Sequence, residues 1–301
     1  MLDVLDIKKL LGRYSKVKKY FLNCSLKFYF KIERWITFVK KYFKKTFKME
    51  LCFYIMLSTD ENAGSVIFRS DIMSKLSHQD VLSQIQYGLI SSCQPVDDGP
   101  MDKPEIVSAM AQASVVGGAS GLRIEGVDNL KATRPFVNIP IIGIVKRDLP
   151  DSPVRITPFL QDIEDLANAG ADIIAVDGTN RPRPVDIASA VKKIHEMGCL
   201  AMADCSNLEE GLYCKELGFD IIGSTMSGYT GGEVPEEPDY QLVRDLKSAG
   251  CFVMAEGRYN TPELTKVAIE IGADCVTVGS ALTRLEHIVS WFATAIKSAR
   301  K

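Results

Sequence analysis

Ala169-Gly-Ala-Asp-Ile-Ile-Ala-Val-Asp177 closes one element and opens another within nine residues. Its glycine suits the left-handed residue that ends a helix, and the apolar run behind it reads as a strand covered on both faces. Related phrases recur as Leu217-Gly-Phe-Asp220, Ala249-Gly-Cys251 and Ile271-Gly-Ala-Asp274. Working outward from them, eight short apolar runs emerge: Leu89 to Cys93, Gly121 to Ile124, Ile141 to Val145, Asp172 to Val176, Leu200 to Ala203, Asp220 to Ser224, Cys251 to Ala255 and Asp274 to Val278. Each is followed by turn residues and a helical stretch. Eight strand-helix units fit a (β/α)8 TIM barrel, which typically takes about 250 residues. The competitor is a doubly wound open sheet. Against it, no G-x-G-x-x-G follows the first run, and eight units exceed what an open sheet usually holds.

A barrel of this kind carries its active site at the carboxyl ends of the strands. The residues closing the runs are Gln94; Arg123 with Glu125; Lys146 with Arg147; Asp177; Asp204; Thr225 with Ser227; Glu256 with Arg258; and Gly279 with Ser280. Two stand out. Pro140-Ile-Ile-Gly-Ile-Val-Lys146 and Cys251-Phe-Val-Met-Ala-Glu256 end apolar runs on charges for which a buried strand has no structural use. Desolvation and a neighbouring cation, Arg147 or Arg123, lower a lysine pKa and suit Lys146 to general-base or Schiff-base chemistry. Burial raises a carboxyl pKa, so Glu256 is the complementary acid or base. The structural alternative is a mutual salt bridge closing the top of the barrel. His78, His195 and His287 all fall away from the strand ends. Metal sites usually combine histidine with carboxylates, so metal-free acid-base chemistry is expected.

Strand order suggests a phosphate site. In many barrels a phosphate sits between the loops after strands 7 and 8, at the start of a short helix. Here Gly257 and Arg258 follow strand 7, Gly279 and Ser280 follow strand 8, and Arg284 lies one turn on. Arg181 and Arg183 after strand 4 offer a second anion site, or pair with loop acids. The long loop Met226 to Pro238 has glycine hinges and a tyrosine, as expected of a lid over substrate or of a solvent loop.

The motifs themselves are informative. Ser92-Cys-Gln-Pro95, Leu122-Arg-Ile-Glu-Gly126, Ile142-Gly-Ile-Val-Lys-Arg-Asp148, Asp177-Gly-Thr179, Arg181-Pro-Arg-Pro184, Ala203-Asp-Cys-Ser206, Ser227-Gly-Tyr-Thr230, Ala255-Glu-Gly-Arg-Tyr-Asn-Thr-Pro262 and Gly279-Ser-Ala-Leu-Thr-Arg284 together resemble the N-acetylmannosamine-6-phosphate 2-epimerases. The resemblance runs in unbroken order from about Met73 to Lys301. It implies a TIM barrel that inverts C2 of an N-acetylhexosamine 6-phosphate in bacterial sialic acid catabolism, with no cofactor or metal. It places the acid-base roles on Lys146 and Glu256 and substrate contacts on Gln94, Arg123, Asp204 and Arg284, with the phosphate at the loops holding Gly257, Gly279 and Ser280. Asp177, Ser227 and Arg258, which close runs at the same mouth, complete the expected substrate-binding set. Two other functions remain open at this point: a Schiff-base lyase of the N-acetylneuraminate lyase type using Lys146, and a sugar-phosphate-binding barrel without turnover.

Residues 1–72 do not fit this pattern. Residues 1–50 carry a net charge of +10, whereas 51–301 carry −12. Thirteen of the 25 aromatic residues lie before residue 55, interleaved with lysine as in Lys40-Lys-Tyr-Phe-Lys-Lys-Thr-Phe-Lys48. Ile32, Trp35, Ile36, Val39, Tyr42 and Phe43 follow helical spacing, which fits a basic helix on an anionic membrane surface or on nucleic acid. The other reading is an over-extended start, with Met73 beginning the barrel's lead-in helix and residues 73–301 forming the catalytic domain. No run is long and uncharged enough for a spanning helix, and no signal peptide is evident. Eight cysteines without a C-x-x-C pair read as reduced residues of a cytoplasmic protein. The acidic barrel argues against nucleic acid as partner. A homodimer is expected by analogy with the family, with Trp291 and Phe292 of the last helix as a contact.

Overall fold

The computed structural model describes residues 77–299; the extension of residues 1–72 and Met73 lie outside the described residues. Helix α1 (His78–Ile85) leads into eight strands: β1 (Leu89–Cys93), β2 (Gly121–Glu125), β3 (Ile141–Ile144), β4 (Ile173–Asp177), β5 (Leu200–Asp204), β6 (Ile221–Gly223), β7 (Val253–Glu256) and β8 (Cys275–Val278). They pair in parallel, each with its successor and β8 with β1, into a closed barrel. The helices between them are α2 (Pro104–Val116), α3 (Val127–Thr133), α4 (Leu160–Asn168), α5 (Ile187–Glu196), α6 (Leu208–Glu216), α7 (Tyr240–Ser248) and α8 (Pro262–Glu270); a short α9 (Ser280–Thr283) and a longer α10 (Leu285–Ser298) close the chain. The TIM barrel expected from the repeated units is therefore the fold.

Alternate strand residues face opposite ways, so each strand feeds two cores. Ile90, Ile142, Ile144, Ile173, Ala175, Leu200, Met202, Ile221, Met254 and Cys275 fill the barrel interior, where Val81 and Ile85 of α1 join them and plug the amino end. Their neighbours along the strands, such as Leu122, Ile174, Val176, Ala201, Ile222, Val253 and Val276, pack outward against the helices. The interior set, continued towards the carboxyl ends, reaches Arg123, Asp204 and Glu256. Ladder register keeps these inward positions side by side: Arg123 pairs with Ile142, Asp177 with Asp204 and Glu256 with Thr277.

The repeated phrase does more than end helices. Gly170, Gly218, Gly250 and Gly272 have φ of 100°, 95°, 76° and 112°, the left-handed conformation that terminates a helix. The residue after each donates to a carbonyl five residues back, as Ala171 does to Leu166. The aspartates that follow were expected to start strands. They lie just before them instead, because their side chains are engaged across the sheet. Asp172 Oδ2 accepts from the Ile141 amide at 2.9 Å and from Arg134 at 2.8 Å. Asp220 Oδ2 accepts from the Ala201 amide at 2.7 Å and lies 2.9 Å from His195 Nε2. Asp274 Oδ2 accepts from the Val253 amide at 2.8 Å and from Lys247 at 2.8 Å. Each clamp satisfies an amide in or at the start of the preceding strand and anchors a cation or histidine from the preceding helical layer. Run ends shift too: Glu125, Asp177, Asp204 and Glu256 are the last residues of their strands, whereas Lys146 lies beyond β3 in an isolated bridge to Ile156.

The six described cysteines are all buried; Cys24 and Cys52 lie outside the described residues. Among the described residues no helix is long and apolar enough to cross a membrane.

Replacing Asp172 by alanine leaves a buried amide and Arg134 without their shared acceptor. The expected cost is about 1–3 kcal/mol, read as a lower urea midpoint at unchanged slope; an unmoved midpoint would show that the clamp contributes nothing.

Candidate active site

The carboxyl mouth is organised by one buried cation. Arg123, inward-facing on β2 and 1% exposed, grips Asp204 of β5 with both terminal nitrogens: Nη1 to Oδ1 at 3.1 Å and Nη2 to Oδ2 at 2.7 Å. Nη1 also donates to Glu256 Oε2 at 2.9 Å. The planar guanidinium fork matches such a bidentate carboxylate, which a lysine could not reproduce. Burial by itself would lower the Arg123 pKa; Asp204 and then Glu256 overcome this and hold it above its ordinary value. The Arg123 Nε is buried and has no partner among the described residues.

Glu256 receives the weaker share of that cation. Burial pushes its carboxyl pKa up and Asp204 adds to the rise. Arg123, a hydrogen bond from Thr225 and the charge of Lys146 pull it down, and the balance is about 7. Its backbone is fixed separately: the Glu256 amide donates to Ser224 Oγ at 3.1 Å, and that hydroxyl donates to the Glu256 carbonyl at 2.9 Å.

Lys146 enters from the opposite side of the barrel, four strands away. Its amide donates to Glu125 Oε1 at 3.2 Å, and its ammonium makes no ion pair among the described residues. Burial lowers its pKa, and so do the charges of Arg284 and Arg123, against the opposing pull of Asp97 and Glu125. Of the two cations expected beside Lys146, Arg123 has this role; Arg147 does not. Arg147 turns outward to Asp162, with Nε to Oδ1 at 3.0 Å, because that buried carboxylate also helps cap α4 through the Phe159 amide. The salt bridge between Lys146 and Glu256 is likewise not formed, since Glu256 is bound to Arg123 instead.

The remaining candidates divide between the mouth and its loops. Gln94 is buried and donates to Ser92 Oγ at 2.7 Å, while its carbonyl accepts from Arg284 Nε at 3.1 Å. Gly279 caps the amino end of α9 without a side-chain cap, so Ser280 opens a bare helix start. Gly257 has φ of 108°. Asp177 is committed to its own loop: Arg181 donates to Oδ2 at 2.6 Å, and Arg183 and Thr179 approach Oδ1. That is the loop-acid pairing the sequence left open for these arginines. Ser227 Oγ donates to Asp239 at 2.6 Å, and Arg258 donates to the carbonyls of Ser227 and Glu237 at 2.6 and 2.7 Å. The Arg258 guanidinium also stacks 5.5 Å over the Tyr229 ring. Ser227 and Arg258 thus pin the loop after β6. The sequence ranked Thr225 and Glu125 only as strand-end residues, yet both touch the central groups. Continuing the in-out alternation one step past β6 would have pointed Thr225 at Asp204 and Glu256.

The family model described as "Putative N-acetylmannosamine-6-phosphate epimerase" matches residues 107–298. A protein of Haemophilus influenzae named "Putative N-acetylmannosamine-6-phosphate 2-epimerase" is 93% identical over 228 residues, covering 76% of this chain and all of the relative. An identically named protein of Actinobacillus pleuropneumoniae is 82% identical over the same shares. The solved structure of the N-acetylmannosamine-6-phosphate 2-epimerase from Clostridium perfringens superposes with a TM-score of 0.71 at 38% identity, covering 74% of this chain and 99% of that one.

A carboxyl whose folded-state pKa is raised binds its proton more tightly than in the unfolded chain. The stability it contributes is complete below about pH 4.5, its ordinary value, and is lost as pH rises towards about 7. Glu256→Gln should therefore flatten part of the fall in stability between those pH values, measured as urea midpoints of both proteins; parallel curves would contradict the raised pKa.

Proposed function

The chain belongs to the N-acetylmannosamine-6-phosphate epimerase family, and on that premise we propose that it interconverts N-acetylmannosamine 6-phosphate and N-acetylglucosamine 6-phosphate with Lys146 and Glu256 as its acid-base pair. Family membership favours this epimerase over the lyase and the non-catalytic binder. The reaction belongs to sialic acid and amino sugar catabolism, and we place it in the cytoplasm, carried out by residues 73–301.

The observation that carries the mechanism is the opposed tuning of two groups at one mouth: a carboxyl raised to about 7 and an ammonium lowered from its ordinary value. Once the sugar ring opens, the C2 hydrogen lies beside an aldehyde, and its removal gives an enolate. Neutral Lys146 amine takes the proton from one face, and the Glu256 carboxylic acid returns one to the other. The pair then stands as ammonium and carboxylate, the state that runs the reverse reaction. The two thus hold one transferable proton between them, shared most readily where their pKa values converge. Their placement just after β3 and at the end of β7 addresses opposite faces of a substrate held across the mouth. The Lys146 ammonium and Arg123 offset charge developing on the enolate oxygen. Gln94, Arg284 and Asp204 orient the open chain. The phosphate sits on the amides of Gly257, Gly279 and Ser280, with Arg284 beside it. Asp177, Ser227 and Arg258 support the loops that frame this pocket.

A homodimer accounts for α10. None of its residues is buried, and Leu285, Val289, Phe292 and Ile296 form one apolar face, 52%, 56%, 69% and 63% exposed. Trp291 lies beside them at 41%. A second copy covering this stripe removes apolar surface that a soluble monomer seldom leaves contiguous.

Lys146→Ala or Glu256→Ala should abolish exchange of the C2 hydrogen with deuterated solvent, followed by NMR, while the circular dichroism spectrum is unchanged; near-normal exchange in either variant would remove that residue from the mechanism. Phe292→Glu should shift the protein from dimer to monomer in sedimentation velocity, and a monomeric wild type would end the dimer reading.

A further inference from the structure

The end of β6 holds Glu256 through two consecutive side chains. Ser224 fixes its backbone on both sides, as described above. Thr225, the next residue, reaches its carboxylate: the Thr225 hydroxyl lies 3.3 Å from Glu256 Oε2 and 2.5 Å from Asp204 Oδ1. Arg123 Nη1 bridges the same two oxygens from the other side. The Thr225 hydroxyl has one hydrogen, shared chiefly with Asp204 Oδ1 and more weakly with Glu256 Oε2, and with Arg123 it closes a ring with the two carboxylate oxygens at the base of the mouth. Its existence depends on Gly223. A Cβ there would lie 3.0 Å from Thr225 Oγ1, 3.3 Å from Asp204 Oδ1 and 2.7 Å from the Met202 terminal methyl. A side chain at 223 would occupy the space in which threonine and aspartate meet.

The ring makes the two oxygens of Glu256 unequal. Oε2 already accepts from Arg123, which has no lone pair and stays charged, so a proton added to Oε2 would face a cation's N–H. The proton of neutral Glu256 therefore resides on Oε1, which takes no donor from the ring. From this geometry we infer that Thr225 is a positioning residue: with Arg123 it occupies Glu256 Oε2, and so assigns proton exchange with C2 to Oε1. The inference rests on the acid-base reading of Glu256 given above.

A hydroxyl that donates to a carboxylate favours the ionised form. Deleting it while keeping the side-chain shape removes the weaker contact to Glu256 and leaves Asp204 to draw harder on Arg123, and both effects raise the Glu256 pKa. The other groups facing Glu256 remain: Arg123 on β2, Lys146 after β3, Asp204 on β5 and the buried Cys275 thiol on β8. Thr225→Val tests the role, with Thr225→Ser as the variant that restores the hydroxyl and Thr225→Ala as the substitute should valine not fold. Glu256 is followed by 13C NMR of the glutamate-labelled protein, its signal assigned by loss in Glu256→Gln. The rate of C2 hydrogen exchange is measured over the same pH range. The titration midpoint of Glu256 should rise by about half to one pH unit in the valine variant, with the matching limb of the exchange profile, and return to the wild-type position with serine. An unmoved midpoint in a folded valine or alanine variant, or a serine variant displaced as far as valine, would overturn the role of Thr225. The carboxyl titration needs no turnover. A wild type without C2 exchange would therefore overturn the epimerase reading, and the midpoints would still decide the hydrogen bond.

Discussion

One buried cation serving two carboxylates at the barrel mouth organises the rest of this structure. Arg123 cannot leave the interior or lose its proton, so its surroundings must balance it. Asp204 satisfies it through two parallel hydrogen bonds, and Glu256 is left with a share of a single nitrogen. With both acids ionised the group carries an excess negative charge in a low-dielectric site, and the less well-served acid yields. Glu256 therefore titrates near neutrality while Asp204 anchors the arginine. The same pairing keeps Glu256 from bonding to Lys146, so burial, aided by Arg284 and Arg123, lowers the lysine pKa.

The two ends of the barrel divide the work. At the amino end, Asp172, Asp220 and Asp274 each accept a strand amide and a group from the preceding helical layer, and α1 seals the interior with Val81 and Ile85. These three carboxylates are spent on the fold. At the carboxyl end the inward positions carry charge at a cost in desolvation, which the clamped end and two apolar cores offset. A second division runs through the mouth itself. Arg123, Asp204 and Glu256 meet at the centre, whereas Arg181, Arg183, Arg258 and Ser227 are absorbed in holding the loops that Asp177, Asp239 and backbone carbonyls anchor.

The barrel was legible because its signals are local. Uninterrupted apolar runs, glycine after each helix and the count of eight units depend on nearest neighbours, and strand ends follow from chain order alone. Lys146 and Glu256 could be singled out for the same reason: a charge closing a buried run is visible wherever its partner lies. The partners were not. Arg147 looked as close to Lys146 as a residue can be, yet adjacent positions on extended chain point to opposite sides, and Asp162 drew it outward. Asp172, Asp220 and Asp274 looked like strand residues because nothing in a single strand shows that a side chain will bond across to the previous one.

What the sequence determined by itself was the fold and the two charged residues that close buried runs at the carboxyl end of the barrel, since each follows from periodicity and order along the chain. The tertiary structure decided how two acids share Arg123, why burial lifts the Glu256 carboxyl to about 7, and which strand-end residues turn away into loops. Those outcomes depend on distances between residues as far apart in sequence as Arg123, Asp204 and Glu256, and only closure of the barrel brings them within hydrogen-bonding reach.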